Sequence, residues 1–269
     1  MIVSFTNLVA AALVTQTEGG EDANYPATNL KHPQRRYLPA KTTSTAQSRW
    51  VVDFGVAQAL GFVELVRANF VTATIQGNAT NVWTSPSYST AITIAQNPFN
   101  YQYQYGLVPV GFTYRYLSVL VPTQTPIEAP LSVFRLGGIH AGLATVAPTG
   151  FSVDFDHVTE FPFSDASPSH EGWTQRSRLS NPLVTIKRKR GARFTHATPY
   201  IAGDEVRAWT LNVDYPGWTA DFFALYEDLG NPSMAWLVRS VNGTMPWIVR
   251  SDLPGVADSD WTLREVTGP

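Results

Sequence analysis

Short runs of β-branched and aromatic residues, most of them closed by glycine or proline, recur through the first half of this chain. Such runs predict strands that end in tight turns. No helical period of useful length interrupts them, so the pattern favours an antiparallel sandwich or barrel. The predicted strands are 49–55, 61–66, 71–76, 91–95, 114–121 and 132–136.

The second half is also rich in strand signals, and it contains one pattern that predicts a helix. Residues 151–155 and 206–215 alternate apolar and polar side chains, which is typical of half-buried strands. Thr219 is a suitable N-cap and Gly230 a suitable helix stop, so we predict one short helix near 219–229. Its apolar residues at helical spacing are Phe222, Leu225, Tyr226 and Leu229.

The chain has 269 residues, a length that favours two domains. Residues 141–150 are small and include proline and glycine, as expected of a linker. We therefore predict a mainly all-β protein with two β-sandwich domains. The first spans 1–145, and the second, with the short helix, spans 151–269.

Composition excludes several classes of protein and of site. Apolar residues make up 44% of the chain, so it can bury a core and is not intrinsically disordered. There is no cysteine, which excludes disulfides and thiolate metal sites, and the net charge of −2 gives no argument for nucleic acid. The N-terminal apolar stretch lacks the basic residues of a secretory signal, and no segment is long enough for a membrane helix.

The first half resembles the discoidin-like, galactose-binding-like jelly roll. The family has a W-x-x-D-F/L-G strand, a following hydrophobic strand and a late Y-R-Y-L strand. The opening motif resembles the variant found in phage tail proteins. The residues that carry the resemblance are 25–30 (YPATNL), 50–55 (WVVDFG), 58–65 (QALGFVEL) and 114–119 (YRYLSV).

The second half is similar to the sandwich domains of distal tail and baseplate proteins of tailed bacteriophages. The similarity lies in the strand 209–213, the helix that follows it and the closing strand 261–266. It implies a structural virion protein of the tail tip, made in the host cytoplasm. Its partners would be copies of itself in a closed ring and other tail proteins, namely the tail tube, the hub and the tape-measure end.

Two other functions stay open at this stage. The jelly roll could be a carbohydrate-binding module that attaches the particle to a host-surface glycan. An enzyme that degrades cell-envelope glycans is the third alternative, but the chain has no hydrolase signature. We predict no catalytic residue, no metal site and no cofactor. A metal at Asp154, Asp156 and His157, or a glycosidase pair of Glu160 and Asp165, is less favoured than a solvated surface.

A basic run in the second half is the sharpest charge feature of the sequence. It could protect a sheet edge against mispairing, or it could dock an acidic neighbour in the assembly. One short run in a slightly acidic chain is weak support for nucleic-acid binding. The candidate interface residues are Lys187, Arg188, Lys189, Arg190 and Arg193.

Several aromatic residues could contact a glycan or a protein partner. In 99–105 aromatics alternate with amides, so a strand there would place four aromatics on one face. They could instead belong to the core, because aromatics serve both purposes. The candidates for a glycan or interface surface are Tyr37, Trp83, Tyr101, Tyr103 and Tyr105.

Overall fold

The structure is a computed structural model, and it describes ten segments of the chain. No helix among them is long and apolar enough to cross a membrane. The described segments are 2–34, 38–96, 103–127, 132–146, 158–160, 191–202, 223–226, 231–240, 247–249 and 256–265.

Two antiparallel sheets in the first half face each other across one core. The strands of the five-stranded sheet are, in order, β2 (Leu13–Glu18), β4 (Ser48–Ala59), β10 (Thr113–Val121), β6 (Thr72–Asn78) and β7 (Tyr88–Thr93). Those of the four-stranded sheet are β12 (Gly138–Gly142), β5 (Phe62–Val66), β9 (Tyr103–Leu107) and β8 (Ala95–Gln96). A short pair, β3 (Ala40–Lys41) with β11 (Arg135–Leu136), and two 3-10 helices, Leu8–Ala10 and Ala27–Lys31, complete this half.

An eight-stranded antiparallel sheet contains the described strands of the second half together with two strands from the first. It is, in order, β13 (Thr145–Val146), β1 (Ile2–Ser4), β16 (Phe223–Tyr226), β17 (Ala235–Ser240), β19 (Val256–Glu265), β15 (Gly191–Ala202) and β14 (Val158–Glu160), with β18 (Trp247–Val249) also paired to β19. The prediction of a mainly β fold is confirmed. The domain boundaries stay a prediction, although β1 and β13 join the sheet of the second half.

Two local predictions are wrong. The helix near 219–229 is contradicted where it is described, because Phe223–Tyr226 is strand β16, paired with β1 on one side and β17 on the other. The rest of that range lies outside the described residues. Short apolar runs fit either period, and pairing along both edges decides for the strand. The linker at 141–150 is contradicted where it is described, since its first residues end β12 and Thr145–Val146 form β13.

Gly55 lies inside a strand, although the sequence pattern predicted a turn there. Strand β4 continues to Ala59, and its register against β10 shifts between Asp53 and Gln58. Gly55 adopts a φ of 78° at this bulge, a conformation that costs glycine little. The glycine signal was therefore correct about backbone conformation and wrong about where the strand ends.

The sandwich core is built around Trp50. Strand alternation turns Trp50 and Val52 inward, and both are fully buried. Trp50 stacks on Phe70 with ring centroids 6.1 Å apart, and Phe70 meets Phe134 edge to face at 6.1 Å. This aromatic trio joins strand β4 to the loop after β5 and to the segment before β11.

The outer face of the four-stranded sheet is covered by strands of the eight-stranded sheet. Phe62 packs there against Ile2 and Ala235. The side chain of Gln104 donates to the carbonyl of Ala235, and the N–H of Gly106 donates to the carbonyl of Pro232 at 2.8 Å. This face is therefore used for packing within the chain.

His140 is fully buried on that covered face. Its Nε2 lies 3.1 Å from the hydroxyl of Ser4, and its Nδ1 has no hydrogen-bond partner among the described residues. Burial lowers the pKa of His140 to about 3, against a hydrogen bond with Ser4 that acts in the opposite direction. The folded protein therefore holds this imidazole in its neutral form.

The first prediction concerns the aromatic trio. Replacing Trp50 with Ala should lower the free energy of unfolding by ~3–5 kcal/mol, because it removes a large buried ring. Urea denaturation followed by circular dichroism measures this. The control is Val110→Ala, at a residue that is 85% exposed, which should change stability by less than ~0.5 kcal/mol. A Trp50→Ala protein as stable as the control would contradict the assigned core.

The second prediction concerns acid stability. The unfolded chain binds a proton at His140 near its ordinary pKa of 6.5, whereas the folded chain binds it only near 3. The free energy of unfolding should therefore fall as pH drops from 6.5 towards 3, by up to about 1.4 kcal/mol per pH unit. His140→Gln should weaken this fall. Identical pH profiles for wild type and His140→Gln would refute the assignment.

Candidate functional site

Some of the predicted site residues lie outside the described part of the chain. They are Tyr37, Tyr101, Lys187, Arg188, Lys189 and Arg190. Arg193 is described in β15, where it is opposite Arg264 of β19. Arg264 is in turn opposite Arg239 of β17. The backbone register thus places three arginines at neighbouring positions across three adjacent strands.

Tyr103 and Tyr105 are half-buried against the sandwich core. Both belong to β9, and both pack on the main core cluster. Burial, with a smaller contribution from Tyr88, raises the pKa of the Tyr105 phenol. Their positions favour the core interpretation, and their contact with a ligand stays a prediction.

One end of the sandwich is formed by the loop after β5 together with Pro33, Gly137 and Gly138, and we call it the loop end. It contains an arginine with an unusual backbone conformation. Arg67 follows β5 and has a φ of 56°, the only positive φ of a non-glycine residue in the described segments. Its guanidinium donates from Nη2 to the carbonyl of Pro33. Such conformations are unfavourable for a residue with a side chain and persist where the surroundings enforce them.

Hydrogen bonds of Asn69 help to hold Arg67 in this backbone conformation. Its side chain is fully buried and donates to the carbonyl of Val133 at 3.0 Å, while its Oδ1 accepts from the N–H of Arg135 at 2.6 Å. Its own N–H donates to the carbonyl of Arg135 at 3.1 Å, and its carbonyl accepts from Ile127 at 2.7 Å. The loop after β5 is thereby tied to Ile127, to Val133 and to Arg135, the first residue of β11.

Two glycines without side chains leave room for Arg67 and Pro33 at the loop end. A Cβ on Gly137 would lie 2.8 Å from the Nε of Arg67, and one on Gly138 would lie 2.4 Å from the Cα of Pro33. The side-chain oxygen of Gln34, the residue after Pro33, is buried and has no partner among the described residues. The loop end therefore brings together a guanidinium and a main-chain carbonyl, which can serve the donor and acceptor functions of hydroxyl groups.

A second polar group lies on the outer face of the five-stranded sheet, around Arg49. Its Nε donates to Glu18 at 2.7 Å, and its Nη1 donates to Ser118 at 3.0 Å and to Gln76. The guanidinium carbon lies 5.2 Å from the ring centroid of Trp83. Trp83, a predicted glycan-contacting residue, is thus stacked on an arginine that the sequence analysis did not select.

Electrostatic interactions keep the carboxylate of Glu18 ionised. Burial raises the pKa of Glu18, but hydrogen bonds from Arg49 and Gln47 and the charge of Arg49 outweigh burial and hold the pKa below its ordinary value. Gln47 donates to the second oxygen of Glu18 at 2.8 Å. The carboxylate and the guanidinium therefore form a pair of near-zero net charge.

Sequence reasoning missed Arg49 and Arg67 because neither belongs to a charge cluster. Alternation in the predicted strand at 49–55 would have placed Arg49 on the outer face, opposite in direction to Trp50. No sequence signal marks Arg67, since its left-handed backbone depends on contacts with residues far along the chain. Among the described residues, no group of His, Cys, Asp or Glu side chains is arranged to hold a metal ion.

Comparisons with known proteins give likenesses in structure only. No family model matches the chain, and no curated protein matches it. The lectin domain of lectinolysin complexed with Lewis B antigen is 14% identical, with a TM-score of 0.41, and the match covers 52% of this chain and 97% of that one. A fucose binding module from Streptococcus pneumoniae, SpX-3, is 10% identical with a TM-score of 0.41, covering 53% and 99%.

A fucosidase of family GH29 from Ruminococcus gnavus in complex with fucose is 15% identical, with a TM-score of 0.41. The match covers 53% of this chain and only 28% of the fucosidase. Each of these likenesses thus involves about half of the present chain. They do not identify a ligand for it.

Proposed function

We propose that the first half of the chain is a carbohydrate-binding module whose site is the loop end around Arg67. The observation that carries the proposal is the left-handed backbone conformation of Arg67, which its surroundings enforce. Its guanidinium donates a hydrogen bond to the carbonyl of Pro33 and lies over Gly137. Unfavourable backbone conformations held by a rigid frame are typical of ligand-binding positions. The frame here is the aromatic core and the buried Asn69.

The chemistry of the site suits a sugar. A sugar hydroxyl both donates and accepts hydrogen bonds, so it is bound best where donors and acceptors adjoin. Arg67 supplies charged N–H donors, and the adjoining carbonyl of Pro33 supplies an acceptor. Loop ends of sandwiches also tolerate irregular backbone, which allows such groups to converge.

The proposed module is not catalytic. The acidic residues of the long loop after β2 already serve the backbone: Glu21 accepts from the N–H of Ala27, and Asp22 accepts from the N–H of Asn24 at 2.9 Å. These bonds shape the loop and begin the 3-10 helix at Ala27–Lys31. The arrangement of the described loop residues favours binding over glycosidic bond cleavage.

The third prediction tests this site. The full chain should bind members of an immobilised glycan panel, and Arg67→Gln should weaken binding to the best glycan at least about tenfold, because a charged hydrogen bond is lost. Calorimetric titration measures the change. Arg115→Gln is the matched control, since its guanidinium is paired with Asp53 at 2.7 Å on another surface. Unchanged affinity of a folded Arg67→Gln protein, or no glycan bound by wild type, would overturn the proposal.

A structural role in a phage tail tip is the second candidate function. The observation that favours it is the row formed by Arg193, Arg264 and Arg239 in adjacent strands. Under this proposal an acidic neighbour docks at this row, because charge complementarity guides the choice of partner. Under this proposal the chain is a virion component that joins further copies of itself in a closed ring. Other proposed partners are the tail tube, the hub and the tape-measure end.

The fourth prediction tests that role through the arginine row. Wild type should sediment as a closed oligomer that dissociates as salt rises, because charge pairing is screened. The triple variant Arg193→Gln, Arg239→Gln, Arg264→Gln should be monomeric at the same concentration, with an unchanged circular dichroism spectrum. Arg115→Gln again serves as control. A wild-type monomer at every concentration would contradict the ring.

A further inference from the structure

The outer face of the five-stranded sheet contains a rigid arrangement of a guanidinium, a carboxylate and an indole. Arg49 is 5% exposed, and hydrogen bonds from its Nε and Nη1 fix it to residues of strands β2, β10 and β6. The buried guanidinium thus supports the Trp83 ring from the side of the sheet.

Trp83 is held in place by its own loop. Its indole N–H donates to Asn81 at 2.7 Å, and the loop is closed by Asn78, which donates to the carbonyl of Val82 at 2.7 Å. The hydroxyl of Ser87 donates back to Asn78 at 3.1 Å. Because Arg49 lies beneath the ring, the solvent-accessible part of Trp83 faces away from the sheet. The aromatic surface is therefore formed before any ligand arrives.

We infer that Trp83, Arg49 and Glu18 form a second carbohydrate site, separate from the loop end. An indole offers an apolar surface on which the C–H face of a sugar ring can lie. Beside it, the carboxylate of Glu18, whose side chain is 36% exposed, offers acceptors, and Arg49 holds both side chains in place. A sugar hydroxyl can donate to that carboxylate while the ring carbons lie on the indole.

The charge of this group selects against anions. Glu18 Oε1 and Arg49 Nε are 2.7 Å apart, and the opposite charges of the two side chains nearly cancel. A phosphate or carboxylate ligand would gain little from Arg49 and would meet repulsion from Glu18. A neutral sugar encounters no such repulsion, so the ligand class is an uncharged pyranoside.

This second site does not depend on the first. Arg67 follows a strand of the four-stranded sheet, whereas Arg49 and Glu18 belong to strands of the five-stranded sheet. Two sites on one module would bind a glycan chain or a glycan-covered surface more tightly than either site alone. The inference can therefore succeed or fail whatever happens at Arg67.

The fifth prediction tests the site with defined probes on the full chain. The probes are methyl β-galactopyranoside, methyl α-fucopyranoside and methyl β-glucopyranoside at millimolar concentration. At least one should shift the indole N–H resonance of Trp83, which is assigned by its absence from the Trp83→Phe spectrum. In a calorimetric titration, Trp83→Ala should weaken binding of that probe at least about tenfold, as expected for truncation of a central aromatic contact.

Two controls and a comparison make the result decisive. Val82→Ala changes an exposed neighbour in the same loop and should bind as wild type does. Trp83→Ala should melt like wild type, since Trp83 lies outside the core cluster. If Trp83→Ala loses the binding that Arg67→Gln keeps, the second site is supported and the loop-end site is not. If no probe moves the Trp83 resonance, or Trp83→Ala binds as wild type does, the inference is overturned.

Discussion

The stack of Trp50 on Phe70, with Phe134 against the edge of Phe70, holds both candidate sites in position. Trp50 anchors strand β4, and because side chains alternate along a strand, its neighbour Arg49 is turned to the outer face. Phe70 anchors the loop that carries Arg67, and Phe134 anchors the segment that leads to Gly137. The buried aromatic trio thus connects the guanidinium of Arg49 on one sheet with that of Arg67 at the loop end.

Hydrogen bonds of buried polar groups fix the positions of loops that apolar packing in the aromatic core leaves open. Apolar packing is non-directional and leaves a loop several ways to lie. Asn69 removes that freedom, since each of its hydrogen bonds would leave a buried polar atom without a partner if the loop moved. Arg49 has the same role on the sheet face, where its bonds to Glu18 and Ser118 connect strands β2, β4 and β10. Leaving a buried polar group without a hydrogen bond costs free energy, and this cost keeps the nearby surface residues in fixed positions.

The second half of the chain restricts where the sandwich can bind a ligand. It covers the outer face of the four-stranded sheet, where Phe62, His140 and Gln104 are buried. The two proposed sugar sites are formed by other residues of the first half, at the loop end and around Trp83. The acid sensitivity expected of His140 belongs to the covered face.

The sequence by itself determined the β class of the fold and the approximate positions of strands β4, β5, β6 and β10. These follow from short-range patterns, namely alternation, β-branched composition and turn residues. Only the tertiary structure decided that 223–226 is a strand, since pairing with β1 and β17 outweighs a helical spacing of apolar residues. It also decided the backbone of Arg67 and the stacking of Trp83 on Arg49. Each of these depends on contacts between residues distant in the chain, and no local pattern encodes such contacts.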